Sequence, residues 1–205
     1  MRRPVFHATL AVRRRIARAA YRDGFGRVTA VPEASFTFLI GGARSGKSSA
    51  AVRLASGYRG LVSFVVTAEG LDEEMAARIE RHREERPTEW VTLEEPIELA
   101  SAVLSVPADS FVVVDCLSMW VANLVLASVV DVQEHANLVI EALRAHPSGC
   151  AVVSNEVGLG IVPDNALSRE YRDVLGRVNA AFARASSASY FVVAGQTIRL
   201  TPPPF

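Results

Sequence analysis

The stretch Gly41-Gly42-Ala43-Arg44-Ser45-Gly46-Lys47-Ser48 narrows most what this chain can fold into. It satisfies G-x-x-x-x-G-K-[ST], it follows the apolar run 36–40, and it opens a helix-forming run, SSAAVRLAS. That strand–loop–helix setting is what the pattern needs to work as a phosphate-binding loop. Glycine lets backbone N–H groups curl around a phosphate, and the helix N-terminus adds its partial positive charge. Lys47 would reach the β- and γ-phosphates of a nucleotide, and the Ser48 hydroxyl would hold Mg²⁺. Of the 22 cationic side chains 21 are arginine, and the single lysine is Lys47. A compact ammonium in that loop is a point charge that a guanidinium fork does not replace.

From residue 36 onward, apolar runs alternate with helical patterns. Strands are expected over 36–40, 61–67, 89–92, 111–115, 151–156 and 190–195. Helices are expected after the loop and over 72–85, 96–104, 117–128, 132–146 and 166–186. Near-continuous apolar strands separated by helices predict an α/β fold, a mostly parallel sheet with helices on both faces. Residues 36–205 would form a single domain, which suits a chain of 205 residues. Residues 1–35 carry eight arginines against Asp23 and Glu33. They read as an arginine-rich extension, disordered or partly helical, either a targeting segment or a leader without a folded role. The leader is preferred, because a compact fold can begin at Ser35.

Composition excludes several classes. The formal net charge is zero, so nothing global argues for nucleic acid or an anionic membrane. No apolar run reaches the roughly 18 residues of a membrane span. Cys116 and Cys150 form no CxxC pair, which fits a reduced, cytoplasmic protein with two buried thiols and no zinc site. His7, His135 and His146 read as surface residues.

Asp115 ends a very apolar strand, FVVVD, where a parallel sheet opens its ligand crevice, and is a second candidate Mg²⁺ ligand. The alternative for it is a turn-forming or capping role. The segment LDEEMAARIERHREERP (71–87) places Arg78, His82 and Arg86 at a spacing of four, on one helix face. Flanking guanidinium groups disfavour imidazolium, so His82 would tend to be neutral and nucleophilic near neutral pH. A solvated Arg/Glu helix with an incidental histidine fits the same residues. Asn155 and Glu156 end the strand before the turn Gly158-Leu159-Gly160. Arg169, Arg172 and Arg177 on the following helix either bind a substrate phosphate or a neighbouring subunit, or form an ordinary polar face.

Together GGARSGKS (41–48), LDEEMAARIERHREERP with WVTLEEP (90–96), VVDCLSMWVANL (113–124), SNEVGLGIVPDNALSREYRDVLGRVN (154–179) and FVVAG (191–195) resemble the bifunctional adenosylcobinamide kinase / adenosylcobinamide-phosphate guanylyltransferase family of cobalamin biosynthesis. The resemblance spans about 37–200, and the stretch 154–179 is its most specific part. It implies a RecA-like P-loop NTPase fold and two reactions. Adenosylcobinamide is phosphorylated with GTP or ATP, and GMP then passes from GTP to that phosphate through a GMP-histidine intermediate. By motif position the guanylylated histidine is His82, the neighbour at Arg81 leaving no second candidate. The implied nucleotide contacts are Gly41, Gly42, Ala43, Arg44, Ser45, Gly46, Lys47, Ser48, Val66, Thr67, Ala68, Arg83, Glu84, Glu85, Arg86, Glu94 and Asp115. The resemblance also implies a homo-oligomer, a trimer. Two rivals stand beside it: a P-loop kinase without nucleotidyl transfer, and a RecA-like nucleotide-dependent binding protein.

Overall fold

In the computed structural model the described residues are 36–68, 83 and 86–202. The arginine-rich extension, most of the helix expected over 72–85, His82, Glu84 and Glu85 lie outside them.

Seven strands form one sheet in the order β3-β2-β4-β5-β1-β6-β7. They are β1 (Phe36–Gly41), β2 (Leu61–Val66), β3 (Val91–Glu94), β4 (Ser110–Asp115), β5 (Cys150–Asn155), β6 (Ala188–Val193) and β7 (Gln196–Leu200). β1 to β6 run parallel and β7 pairs antiparallel with β6. The helices among the described residues are α1 (Lys47–Ser56), α2 (Leu99–Ser105), α3 (Leu117–Leu126), α4 (Val132–Ala145) and α5 (Ala166–Ala185).

Side chains alternate across a strand, so each apolar run feeds two cores. Phe36, Phe38, Val65, Val112, Val114, Cys150 and Val152 face one core with residues of α2, α3, α4 and α5. Leu39, Val62, Phe64, Val66, Val113, Ala151 and Val153 face the other, with Ala50, Ala51 and Ala55 of α1. This is why these strands read as continuous apolar runs: neither face meets water. Apart from Lys47, the buried positions of α1 are all alanine, Ala50, Ala51 and Ala55. The fold is thus the expected P-loop α/β fold of RecA-like type, with β5 standing between the phosphate-loop strand β1 and the Asp115 strand β4.

Besides shifts at helix ends, such as α2 starting at Leu99 rather than 96, the structure differs from the sequence reading in three places. The strand expected over 89–92 lies at Val91–Glu94, two residues later. The strand expected to run through 195 stops at Val193, and β7 follows it as an unforeseen element. Ala194 and Gly195 join β6 to β7 with φ of 51° and 74°. Positive φ at both central residues makes the two-residue hairpin turn whose twist matches the strands. Because β7 pairs only with β6, its side chains stay exposed, which removed the apolar signal. His146 is not a surface residue. It is buried, with Nε2 2.6 Å from the Ser110 carbonyl oxygen, tying the end of α4 to the start of β4.

Phe182 of α5 is fully buried, edge-on to Phe36 at 5.8 Å and tilted against Phe38 at 6.2 Å. Truncation removes one wall of the larger core. Phe182→Ala should lower unfolding stability by about 3–5 kcal/mol in chemical denaturation.

Candidate active site

Parallel strands bring their C-terminal ends to one edge, and most of the described candidate residues lie there. Gly41 ends β1, Val66 ends β2, Glu94 ends β3, Asp115 ends β4 and Asn155 ends β5. Register fixes their heights: Gly41 is level with Asn155, Val66 with both Asp115 and Glu94, and Asp115 with Val153.

The phosphate loop leaves β1 at Gly41, where a Cβ would collide with the Val192 carbonyl oxygen and stand 2.8 Å from Ser45 Oγ. Only glycine fits there. Gly46, at φ 95°, precedes the first turn of α1, and its carbonyl accepts from Ala50 N–H at 2.9 Å. Ala43 and Arg44 are exposed at the loop crest, Arg44 at φ 54°. Lys47 is buried, and its ammonium donates to the Gly42 carbonyl at 3.0 Å. Ser48 follows it, half-buried, in the first turn of α1.

Thr67 is fully buried between β2 and the start of α3. Its hydroxyl donates to the Cys116 carbonyl at 2.7 Å and accepts from Cys116 N–H at 3.1 Å. Asn123 Nδ2 donates to the Thr67 carbonyl at 2.8 Å and to the Pro96 carbonyl at 3.2 Å. The turn Val66-Thr67-Ala68 is therefore clamped from below, and the Thr67 side chain is occupied within the fold. Glu94 is exposed at the end of β3, beside that turn. Arg83 is exposed. Arg86 lies with its guanidinium carbon 4.4 Å from the centre of the Phe64 ring and donates to Thr92 Oγ1 at 3.4 Å. Trp90 stacks on the same Phe64 at 5.5 Å. The guanidinium of Arg86 is thus engaged with β2 and β3, and it anchors the chain four residues after His82.

A second layer of polar groups lies under this edge. Asn155 Nδ2 donates to Ser118 Oγ at 3.0 Å, Cys116 Sγ lies 2.9 Å from the same oxygen, and Tyr171 donates to the Ser118 carbonyl at 3.1 Å. Ser154 Oγ donates to Asn179 Oδ1 at 2.6 Å, and Asn179 Nδ2 to the Asn155 carbonyl at 3.0 Å. Asn155 Oδ1, at the end of β5, and Ser45 Oγ, in the phosphate loop, are buried without a hydrogen-bond partner. Beyond Asn155, Glu156 N–H donates to the Gly41 carbonyl at 3.0 Å. Its carboxylate accepts from Gly158 and Leu159 N–H at 2.7 and 3.0 Å. The loop it starts carries exposed Leu159, Ile161 and Val162. Arg169 ties that loop to α5 by donating to the Pro163 and Asp164 carbonyls at 3.0 and 2.6 Å. Arg172 pairs with Asp173 at 3.0 Å, and Arg177 is exposed. Sequence reasoning had singled out neither Ser118, Tyr171 nor Asn179; their polar spacing on α3 and α5 gains meaning only once both helices lie against β5.

The donor set suits a hard cation: the Asp115 carboxylate and the Ser48 hydroxyl are oxygen ligands of the kind Mg²⁺ takes together with phosphates and water. No group of three or more His, Cys, Asp and Glu converges among the described residues. Burial, then the nearby Asp115 charge, pushes the Cys116 thiol above its ordinary 9.0. Burial, and secondarily Cys116, pushes Tyr171 from 10.0 up to about 12. Both groups fold in their neutral forms. The stability they lend is complete below pH 9, their lower unfolded value, and is lost as pH climbs through the folded values. Denaturant stability should hold up to about pH 9 and fall toward pH 12. In Tyr171→Phe the part of that fall above pH 10 should shrink.

A glycine-lined phosphate loop at a parallel-sheet edge, with a lysine and a strand-end aspartate beside it, defines a P-loop nucleotide-using enzyme. Residues 37–200 match the family model described as cobinamide kinase / cobinamide phosphate guanyltransferase. The chain is 42% identical over 170 residues to the bifunctional adenosylcobalamin biosynthesis protein CobP of Pseudomonas aeruginosa, covering 81% of this chain and 97% of that one. It is 36% and 34% identical, each over 177 residues, to the bifunctional adenosylcobalamin biosynthesis proteins CobU of Escherichia coli and Salmonella typhimurium. Each of those matches covers 79% of this chain and 97% of the relative. The chain belongs to the cobinamide kinase / cobinamide phosphate guanylyltransferase family. No helix among the described residues is long and apolar enough to cross a membrane.

Proposed function

We propose that this protein phosphorylates adenosylcobinamide with GTP or ATP and then moves GMP from GTP onto that phosphate through a GMP–His82 intermediate. The observation that carries this reading is the phosphate loop itself, with buried Lys47, at the same sheet edge as Asp115. In the first reaction the substrate hydroxyl oxygen bonds the γ-phosphorus as its bond to the β-phosphate breaks, and the nucleoside diphosphate leaves. The backbone N–H groups of residues 41–48 and the Lys47 ammonium hold the triphosphate and counter the charge that develops. In the second, an imidazole nitrogen of His82 bonds the α-phosphorus of GTP and pyrophosphate leaves. A phosphate oxygen of the first product then displaces the imidazole. Two displacements replace one difficult meeting of two anions. Ser48 and Asp115 would hold Mg²⁺, which would supply positive charge to offset that of the triphosphate.

Val66, Thr67, Ala68, Arg83, Glu84, Glu85, Arg86 and Glu94 are assigned to the nucleotide by motif position. For Thr67 the engaged hydroxyl favours contact through backbone groups. For Arg86 the stacking on Phe64 favours a supporting role for the segment that carries His82. A homo-oligomer, trimeric by family resemblance, and a cytoplasmic location complete the proposal.

The test uses Mg²⁺ and α-labelled GTP without corrinoid. Wild type should acquire acid-labile label, and His82→Ala should not. Unlabelled wild type that binds GTP would leave a plain P-loop kinase. Lys47→Ala should weaken GTP binding by roughly ten- to a hundredfold, the worth of a hydrogen bond to a charged group.

A further inference from the structure

The turn between β6 and β7 touches the phosphate loop. Gly195 N–H donates to the Ser45 carbonyl at 2.8 Å. A Cβ on Gly46 would stand 3.1 Å from Gly195 Cα, so the two glycines face each other. In a trans peptide the carbonyl and the following N–H point in opposite directions. The Ser45 carbonyl is turned toward the hairpin, so the Gly46 N–H is turned away from it, at the residue that opens α1. That is the direction a phosphate-binding N–H needs. Left unbraced, this peptide could rotate, since glycine at 46 offers little resistance.

We infer that the Ala194–Gly195 turn positions the phosphate loop, holding the Ser45–Gly46 peptide in the orientation that points its N–H at the triphosphate. The backbone at the turn supports the assignment. Ala194 sits at φ 51°, in a region L-residues avoid. The two-residue hairpin itself calls for positive φ at both positions, and that turn is what presents the Gly195 N–H to Ser45. Gly195 itself is not confined by space, because a Cβ there would meet nothing within 4 Å. What position 195 requires is a positive φ, and this separates its substitutions by backbone preference alone. Asparagine adopts φ of 74° readily, alanine less so, and a β-branched valine least.

The inference rests on reading residues 41–48 as the triphosphate site, and Lys47→Ala in the full chain serves as its control. Ile198→Ala weakens the same hairpin away from the turn and reports what mere loss of stability does. Binding of GTP and of inorganic triphosphate is measured with Mg²⁺, below the melting onset of every variant. Gly195→Asn should bind within about threefold of wild type, and Gly195→Val should lose roughly ten- to a hundredfold for both ligands, the worth of a hydrogen bond to a charged group. Gly195→Ala should fall between them, while Ile198→Ala lowers the melting temperature without changing affinity. If Gly195→Val does not fold, the comparison of Ala with Asn decides. Equal triphosphate affinity among the folded Gly195 variants would overturn the inference, provided Lys47→Ala has lost binding. If Lys47→Ala binds normally, the reading of residues 41–48 fails instead.

Discussion

Every feature of the site depends on a parallel ladder that ends abruptly. β1, β5 and β4 stop at Gly41, Asn155 and Asp115, and their pairing sets those residues within one or two positions of a common level. Parallel strands must each be followed by a crossover, so the chain leaves this edge again and again. The phosphate loop, the Thr67 turn, the start of α3 and the Glu156 loop are the products of those exits. Because both faces of the strands are packed, the edge cannot shift by one residue without exchanging the two cores. The catalytic edge inherits its precision from that packing.

Beneath the edge, polar groups convert sheet register into side-chain position. Thr67 joins the end of β2 to Cys116, Asn155 joins β5 to Ser118, and Asn179 joins α5 to β5. These are short, buried, neutral groups. In a low dielectric each bond is strong, and each unmade bond is costly, so the network tolerates few arrangements. It leaves one acceptor, Asn155 Oδ1, unmatched beside the phosphate-loop strand. The raised pKa values of Cys116 and Tyr171 belong to the same layer, and mark it as neutral matrix beneath a charged surface.

Much of this was legible in the sequence because the signals were local. A glycine-lysine pattern between a strand and a helix stands out, and FVVVD reads as a strand that ends at Asp115, where β4 does stop. The sole lysine among 22 cations pointed to the same loop. What escaped was made by distant pairings. β7 is paired on one side only, by β6, and its Ile198 and Leu200 stay exposed, so no buried apolar run announced a strand there. The Ala194–Gly195 turn carried a faint cue, a glycine closing an apolar run, but nothing in the sequence says that it packs on Gly46. His146 looked like a helix-end surface residue until Ser110, 36 residues earlier in the chain, supplied its partner.

The proposed chemistry asks one triphosphate cradle to serve attack at two phosphorus atoms. A rigid cradle that seats each incoming triphosphate in the same way can do so if the nucleophiles arrive from different directions. The described residues fit that demand. The loop leaves a strand paired with β6 at Gly41 and Val192 and is tied to the hairpin by Gly195, while Glu156 N–H bonds the Gly41 carbonyl from the β5 side. His82 belongs to a different part of the chain, and four residues after it Arg86 packs on Phe64, on which Trp90 also stacks, and donates to Thr92 Oγ1. The contacts that fix the phosphate loop are thus separate from those that engage Arg86, four residues after His82. The two reactions can then differ in which nucleophile is brought up, with the triphosphate held the same way in both.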